Sequence, residues 1–427
     1  MRRRIMVTAA AAVGILALSA CSGAGGGGAG MDSRGPITIW YSNNASEISW
    51  GKQMVDAWNA EHADQQITAQ EIPAGKSSEE VIGASITAGN APCLVFNTSP
   101  AAVPGFEKQG GLVNLSSFSD GEAYITERSG ALADQYRSSD GGFYQLPWKS
   151  NPVMIFYNKD LFAKAGLDPE NPKLSTYADF LQTARTLKDA GVSKYAINPA
   201  PTSEFFQSWF DFYPLYAAQS GGAQLVEDGK ATFNDAAGTA VTDFWHTIYA
   251  DQLAGNEQYQ GDAFADGYAA MAIVGPWAVS VYKDKVNWGS VPVPTEKGTP
   301  ASSTYTFSDA KNVGLFSACK NKATAWDVLK FATSQEQDGK WLEATGQMPL
   351  RQNLTTAFPD YFAANPAYQQ FGDQAARTVE VPNVANSVEI WQKFRDGYSK
   401  AVIFGQGDTA GFLSTAQQDI DKLAAGQ

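Results

Sequence analysis

The sequence is poor in histidine, poor in charge and short of basic residues. Only His62 and His246 occur in 427 residues, too far apart in the chain to suggest a zinc pair. Charged residues make up 18%, and Gly and Pro number 40 and 20, so neither disorder nor collagen-like repetition fits. With 31 Lys+Arg against 44 Asp+Glu, the net charge of −13 argues against a nucleic-acid binder, because phosphates need a basic face for counterion release. No repeat with a period of about 20–50 residues is visible, which makes a solenoid a poor fit. No G-x-S-x-G elbow, H-E-x-x-H pair or P-loop is present. Gly405-Gln406-Gly407 lacks the strand-to-helix context of a dinucleotide loop, and Asp262–Gly267 lacks the spacing of a calcium loop. Neither a cofactor nor a metal is expected. What is present is a 44% apolar composition over a length that suits two or three domains with real cores.

The first residues read as a targeting device. Arg2, Arg3 and Arg4 form a basic segment, and Ile5 to Leu18 is an Ala-rich apolar run too short to span about 30 Å of hydrocarbon. The run ends in Leu18-Ser19-Ala20-Cys21, which resembles a bacterial lipobox. That resemblance implies cleavage after residue 20, a diacylglycerol on the Cys21 thiol, and a tether over 21–36. Two or more acyl chains hold a protein at a bilayer surface, at about 0.8 kcal/mol per buried CH₂. The expected location is extracytoplasmic, lipid-anchored to the outer face of the cell membrane. Cys93 and Cys319 then remain in a compartment that permits a disulfide; the alternative is two small buried hydrophobes.

From residue 37 onward, strand and helix signals alternate. Ile37–Tyr41, Ile67–Ile72 and Leu94–Phe96 read as strands, separated by helical segments that open at Asn44-x-x-Glu47 and Ser77-x-x-Glu80. The pattern restarts after Pro147 with a strand over Val153–Tyr157 and another over Tyr195–Ile197. Such alternation predicts βαβ units and a parallel, doubly wound sheet in each of two lobes. An aromatic block, Phe205 to Tyr213, follows.

Several motifs then occur in a telling order. Gly142-Phe143-Tyr144-Gln145-Leu146-Pro147-Trp148 precedes Ile155-Phe156-Tyr157-Asn158-Lys159-Asp160-Leu161-Phe162. Gly267-Tyr268-Ala269-Ala270-Met271-Ala272-Ile273-Val274-Gly275-Pro276-Trp277 follows, then Lys285-Val286-Asn287-Trp288-Gly289, Lys322-Ala323-Thr324-Ala325-Trp326 and Gly346-Gln347-Met348-Pro349-Leu350-Arg351. Together they resemble extracellular solute-binding proteins, family 1, the sugar-capturing subunits of ABC importers. The resemblance implies a two-lobed periplasmic-binding-protein-like α/β fold with three inter-lobe crossings near 147–152, 270–275 and 317–323. Lobe one would then hold 37–147 plus 276–317, and lobe two 152–270 plus 323–427.

A sugar offers hydroxyls around its edge and C–H patches on its faces, so its site needs flat aromatic rings and planar hydrogen-bonding groups. A buried hydroxyl without a partner costs about 1–3 kcal/mol. The resemblance makes Trp277 and Trp391 stacking rings and puts Phe210 where the family has a ring-stacking tyrosine. Trp209 belongs to the same block, and Asp211 is a candidate hydroxyl acceptor. Asn43, Asn44 and Glu47 after the first strand, and Asn97 after the third, face the cleft if ligands sit beyond strand carboxyl ends. Trp148 and Asn151 lie on the first crossing, at the expected cleft floor, and Arg351 and Lys76 are candidate donors. The chain departs from the family's maltodextrin receptors at Asn151, where those carry a carboxylate, and near Asn97, where they carry a tryptophan.

The reading that follows is a monomeric, lipid-anchored receptor without enzymatic activity. It captures a carbohydrate and delivers it to a permease served by a cytoplasmic ATPase. The alternatives are a surface-tethered glycan hydrolase, which needs two carboxylates about 5–9.5 Å apart, and the same transport role for a glycerol phosphodiester or a peptide.

Overall fold

The computed structural model describes residues 30–426, with the exception of Asn43, Lys76 and Ala200. The leader, Cys21, Asn43 and Lys76 therefore lie outside the described residues. In chain order the strands begin with β1 (Ile37–Tyr41), β2 (Ile67–Glu71), β3 (Leu94–Thr98) and β4 (Leu146–Ser150). β5 (Met154–Asn158), β6 (Tyr195–Ile197), a short hairpin of β7 (Val226–Glu227) and β8 (Lys230–Ala231), and β9 (Ala269–Val274) follow. β10 (Trp288–Val291), β11 (Thr306–Phe307), β12 (Lys311–Leu315), β13 (Met348–Pro349) and β14 (Thr378–Val379) complete them.

Two main sheets result, one to each lobe. The first has six strands in the order β13-β4-β12-β3-β1-β2, and the second has four in the order β10-β5-β9-β6. β1 buries Ile37, Ile39 and Tyr41 on one face, whereas Leu94-Val95-Phe96 of β3 is buried on both, as a central strand requires. Helix Ala45–Glu61 starts where the Asn44 side chain accepts the Ser46 and Glu47 N–H groups, and its buried Trp50, Met54 and Trp58 face the first sheet.

Neither sheet is wholly parallel. β1, β2 and β3 are parallel neighbours, but β12 runs antiparallel to both β3 and β4, and β5 runs antiparallel to β9 and β10. The reversed strands are those by which the chain returns to a sheet from elsewhere, so no right-handed βαβ crossover dictates their direction.

The strand pairings also correct the segment boundaries expected from sequence. The first passage between sheets lies between Ser150 and Met154. The chain does not leave the second sheet near residue 275, because β10 pairs antiparallel with β5. The second passage lies instead between Phe307 and Lys311, and Trp277 belongs to the second lobe. Likewise residues 323–350 stay with the first lobe: Trp326, Leu329, Trp341 and Leu350 share its core with Trp50 and Trp148. Only after Leu350 does the chain cross again, with Leu354, Phe362 and Phe371 packing beneath β5 and β9.

Within the first lobe, Cys93 and Cys319 form a disulfide across 226 residues of chain. Closing so long a loop restricts the unfolded ensemble, a contribution of about 2–5 kcal/mol. Reduction, or Cys93→Ser with Cys319→Ser, is expected to lower the urea midpoint accordingly. A midpoint indifferent to reductant would show that the bridge adds no stability.

Candidate functional site

The second lobe presents a wall of rings. Trp209 and Trp391 meet edge to face at 5.8 Å, and Trp391 packs on Tyr213 at 4.9 Å. Phe307 lies 5.4 Å from Trp209 and 6.2 Å from Phe210, and Phe210 meets Trp277 at 6.3 Å. Trp277 and Phe210 are half-buried, and Phe206, 6.1 Å from Trp209, is more than a third exposed. Gly275 makes the position of Trp277 feasible, because a Cβ there would stand 2.0 Å from the indole. Trp277 and Trp391 thus belong to one cluster on one lobe.

The polar groups come from the passages between lobes and from the first lobe. Glu47, in the first turn of helix Ala45–Glu61, accepts from Lys149 Nζ at 2.6 Å and from Gln347 Nε2 at 2.8 Å. Burial pushes the Glu47 carboxyl up, but the Lys149 ammonium and the Gln347 donor outweigh it and leave it below its usual range. Gln347 follows Gly346, whose left-handed φ of 67° ends helix Gln335–Thr345 and turns the chain into β13. Its Oε1 accepts from Asn151 Nδ2 at 3.0 Å, and Asn151 also reaches the Asp309 carbonyl at 3.3 Å. Gln347 therefore brings Glu47 and Asn151 together, though 104 residues separate them in the chain. Asp309 in turn holds Lys311 Nζ at 2.7 Å.

Several buried polar atoms in this region have no partner: Glu47 Oε2, Asn151 Oδ1, Ser99 Oγ, Ser208 Oγ, and the indole nitrogens of Trp209 and Trp391. An unmet buried group costs about 1–3 kcal/mol. A solute carrying hydroxyl groups supplies both donors and acceptors to such atoms. Asn97, at the end of β3, adopts a left-handed φ of 70°, a conformation that Asn tolerates better than other side chains.

Other expectations are corrected. Trp391 is wholly buried, with no exposed face for stacking in this conformation, because Trp209, Tyr213 and Phe394 enclose it. Trp148 is not at the floor of a cleft; it is core, wedged among Trp50, Phe96 and Trp341 where two helices cover the first sheet. Asp211 is fully buried and caps helix Phe212–Ser220, accepting the Phe212 N–H and, at 2.8 Å, Gln207 Nε2. Burial pushes its carboxyl up to about 7. Asn44 spends its side-chain oxygen on capping. Arg351 binds Asp338 at 2.8 Å and the Thr333 carbonyl at 3.0 Å, and it lines a separate cavity.

Sequence reasoning missed Lys149, Gln347 and Glu380. The signal for Lys149 was a lone cation inside the apolar strand Leu146–Ser150. Glu380 receives Tyr136 Oη at 3.1 Å from the first lobe, and burial pushes its carboxyl up to about 8. The folded chain therefore keeps a proton that the unfolded chain releases near pH 4.5, and stability falls as pH rises from there to about 8. Asp211 acts in the same direction up to about pH 7. Glu380→Gln is expected to shrink the difference in unfolding free energy between pH 5 and pH 8 by about 1 kcal/mol or more. An unchanged difference in urea melts at the two pH values would refute this role.

The chain thus carries a ring cluster on its second lobe and a hydrogen-bonded polar group of Glu47, Lys149, Asn151 and Gln347 on its first lobe and the passage between them. Residues 42–339 match the family model described as bacterial extracellular solute-binding protein. The chain belongs to that family. It is 25% identical over 418 residues to the galactooligosaccharide-binding protein of Bacillus subtilis (strain 168), covering 94% of this chain and 93% of that one. It is 24% identical over 320 residues to the maltodextrin-binding protein of the same organism, covering 71% of each. Among solved structures, the cyclic alpha-maltosyl-1,6-maltose binding protein from Arthrobacter globiformis is similar with a TM-score of 0.79 at 22% identity, over 92% of this chain and 100% of that one.

Proposed function

We propose that the chain captures an oligosaccharide between its lobes and delivers it unaltered to the permease of an ABC importer. The observation that carries this reading is a ring cluster on the second lobe together with buried, unpaired polar atoms on the first lobe and the inter-lobe passage, notably Glu47 Oε2 and Asn151 Oδ1. Aromatic faces suit the C–H patches of a sugar, and the unpaired atoms suit its hydroxyls. The sugar-binding relatives named above support the same solute class.

In this reading Trp277 and Phe210 offer ring faces, and Glu47, Asn151 and Asn97 engage hydroxyls. Ala101, at the tip of the first lobe, packs into the aromatic cluster of the second, and Pro100–Ala102 lies against helix Ser387–Tyr398. Parting the lobes removes that cover from the helix bearing Trp391. A solute that touches both lobes favours the closed form by its differential affinity. Moving a population from 1:99 to 99:1 takes about 5.5 kcal/mol, which a few stacked rings and newly satisfied hydrogen bonds supply. The lipobox-like Leu18-Ser19-Ala20-Cys21 supports anchoring at the outer face of the membrane.

The test is a thermal-shift screen with maltodextrins, galacto-oligosaccharides, glycerol phosphates and peptides, followed by calorimetry and an assay for new reducing ends. Stabilisation by an oligosaccharide that is recovered intact is the expected result. New reducing ends would replace the receptor with a hydrolase, and a shift with glycerol phosphates or peptides alone would replace the solute.

A further inference from the structure

A cavity of 760 Å³ lies between the lobes and shares no wall with the aromatic cluster. The first lobe supplies Ser129 and Arg351, and the second supplies Met154, Pro292 and Arg377. Its volume falls within the range of small-molecule sites, about 300–1,000 Å³.

Three features give the cavity a chemical preference. Arg377 donates from Nε to the Thr304 carbonyl at 3.3 Å and from Nη2 to the Ala301 carbonyl at 3.2 Å, and no carboxylate pairs with it among the described residues. Arg351 is anchored in the same manner, through Nε to Asp338 and Nη2 to the Thr333 carbonyl. Asp338 is already shared with Arg128 at 2.9 Å, so one carboxylate serves two guanidiniums. Neither arginine uses Nη1 in any of these bonds. Independently, the Ser129 hydroxyl is buried and has no partner, although Ser129 is only 3% exposed and lines the cavity.

Opposing charge is present but leaves Arg377 unpaired. Asp373 also lines the cavity, but it is exposed and accepts from Gln369 Nε2 at 2.8 Å. Helices Gly121–Ser129 and Gln369–Gln374 end at this wall, and a helix C-terminus carries at most about half a negative charge. Arg377 nevertheless carries its charge without a carboxylate partner among the described residues, in a chain whose net charge is −13.

We propose that this cavity is a second binding site, for a small anion bearing a carboxylate or phosphate group. The anion takes charge-assisted hydrogen bonds from Arg377 and Arg351 and one from the Ser129 hydroxyl. The site is distinct from the one proposed for the oligosaccharide and stands or falls without it.

The experiment is calorimetry of the full chain with inorganic phosphate and with citrate, which separate the two anion types. At least one is expected to bind with a Kd below about 10 mM. Arg377→Gln is expected to weaken that binding at least about tenfold, and Ser129→Ala by about fivefold, whereas Trp277→Ala leaves it unchanged. Should Arg377→Gln fail to fold, Arg377→Lys keeps the charge, loses the planar fork and is expected to weaken binding less than Ser129→Ala combined with it. No heat from either anion overturns the proposal. So does binding that survives the Arg377 and Ser129 changes, or binding that Trp277→Ala abolishes, which would place the anion against the rings instead.

Discussion

Arg128→Ala is expected to lower the unfolding free energy by about 3–5 kcal/mol, the usual loss when one partner of a buried ion pair is removed. Arg128 is 3% exposed and Asp338 1%. The guanidinium bonds both Asp338 oxygens, at 2.9 and 3.1 Å, and the carbonyls of Pro147, Trp148, Thr333 and Leu350. One side chain thereby ties helix Gly121–Ser129 to β4, to the end of helix Lys322–Ala332 and to the residue after β13. Alanine leaves four buried carbonyls without this donor and Asp338 with Arg351 alone, and no water reaches them at low cost. Urea melts at pH 7 decide the matter. A loss below about 1 kcal/mol would mean that the carbonyls find other donors, and the pair would then be structurally redundant.

Trp277→Ala is expected to weaken oligosaccharide binding by more than tenfold while the chain remains folded. The two expectations go together because Trp277 is half-buried at the edge of the ring cluster, with Phe210 alone meeting it edge to face. A stacked ring contributes about 0.5–1.5 kcal/mol beyond the roughly 25 cal/mol per Å² of apolar area it buries, and each 1.4 kcal/mol is a factor of ten. Trp391→Ala forms the contrast. That indole is fully buried against Trp209, Tyr213 and Phe394, so truncation is expected to cost about 3–5 kcal/mol of stability. Calorimetry on folded Trp277→Ala, with circular dichroism as the control for folding, is the measurement. Unchanged affinity would remove Trp277 from the site, and the ring-lined wall would lose its most accessible face.

Much of the architecture was legible along the chain. The alternation of Ile37–Tyr41, the Asn44-capped helix and Ile67–Glu71 carries its own periodicities, since local patterning and capping are short-range effects. The block from Phe205 to Tyr213 announced a concentration of rings, and the structure divides it: Phe206 is exposed and Phe210 half-buried, while Trp209 and Tyr213 turn inward. That division depends on which neighbours cover a residue. Helix Ser387–Tyr398 buries Trp209, and it arrives some 180 residues later in the chain.

Composition, motif order and helix caps are written in neighbouring residues, and these sufficed for an acidic, two-lobed α/β chain of the solute-binding family. Which lobe each segment joins was decided by pairing at a distance: β10 bonds to β5 rather than leaving the second sheet, and so carries Trp277 to the lobe of Trp391. The union of Glu47, Lys149, Asn151 and Gln347 has the same origin. A buried charge must find its partner wherever the fold brings one within about 3 Å, and no local pattern encodes that meeting.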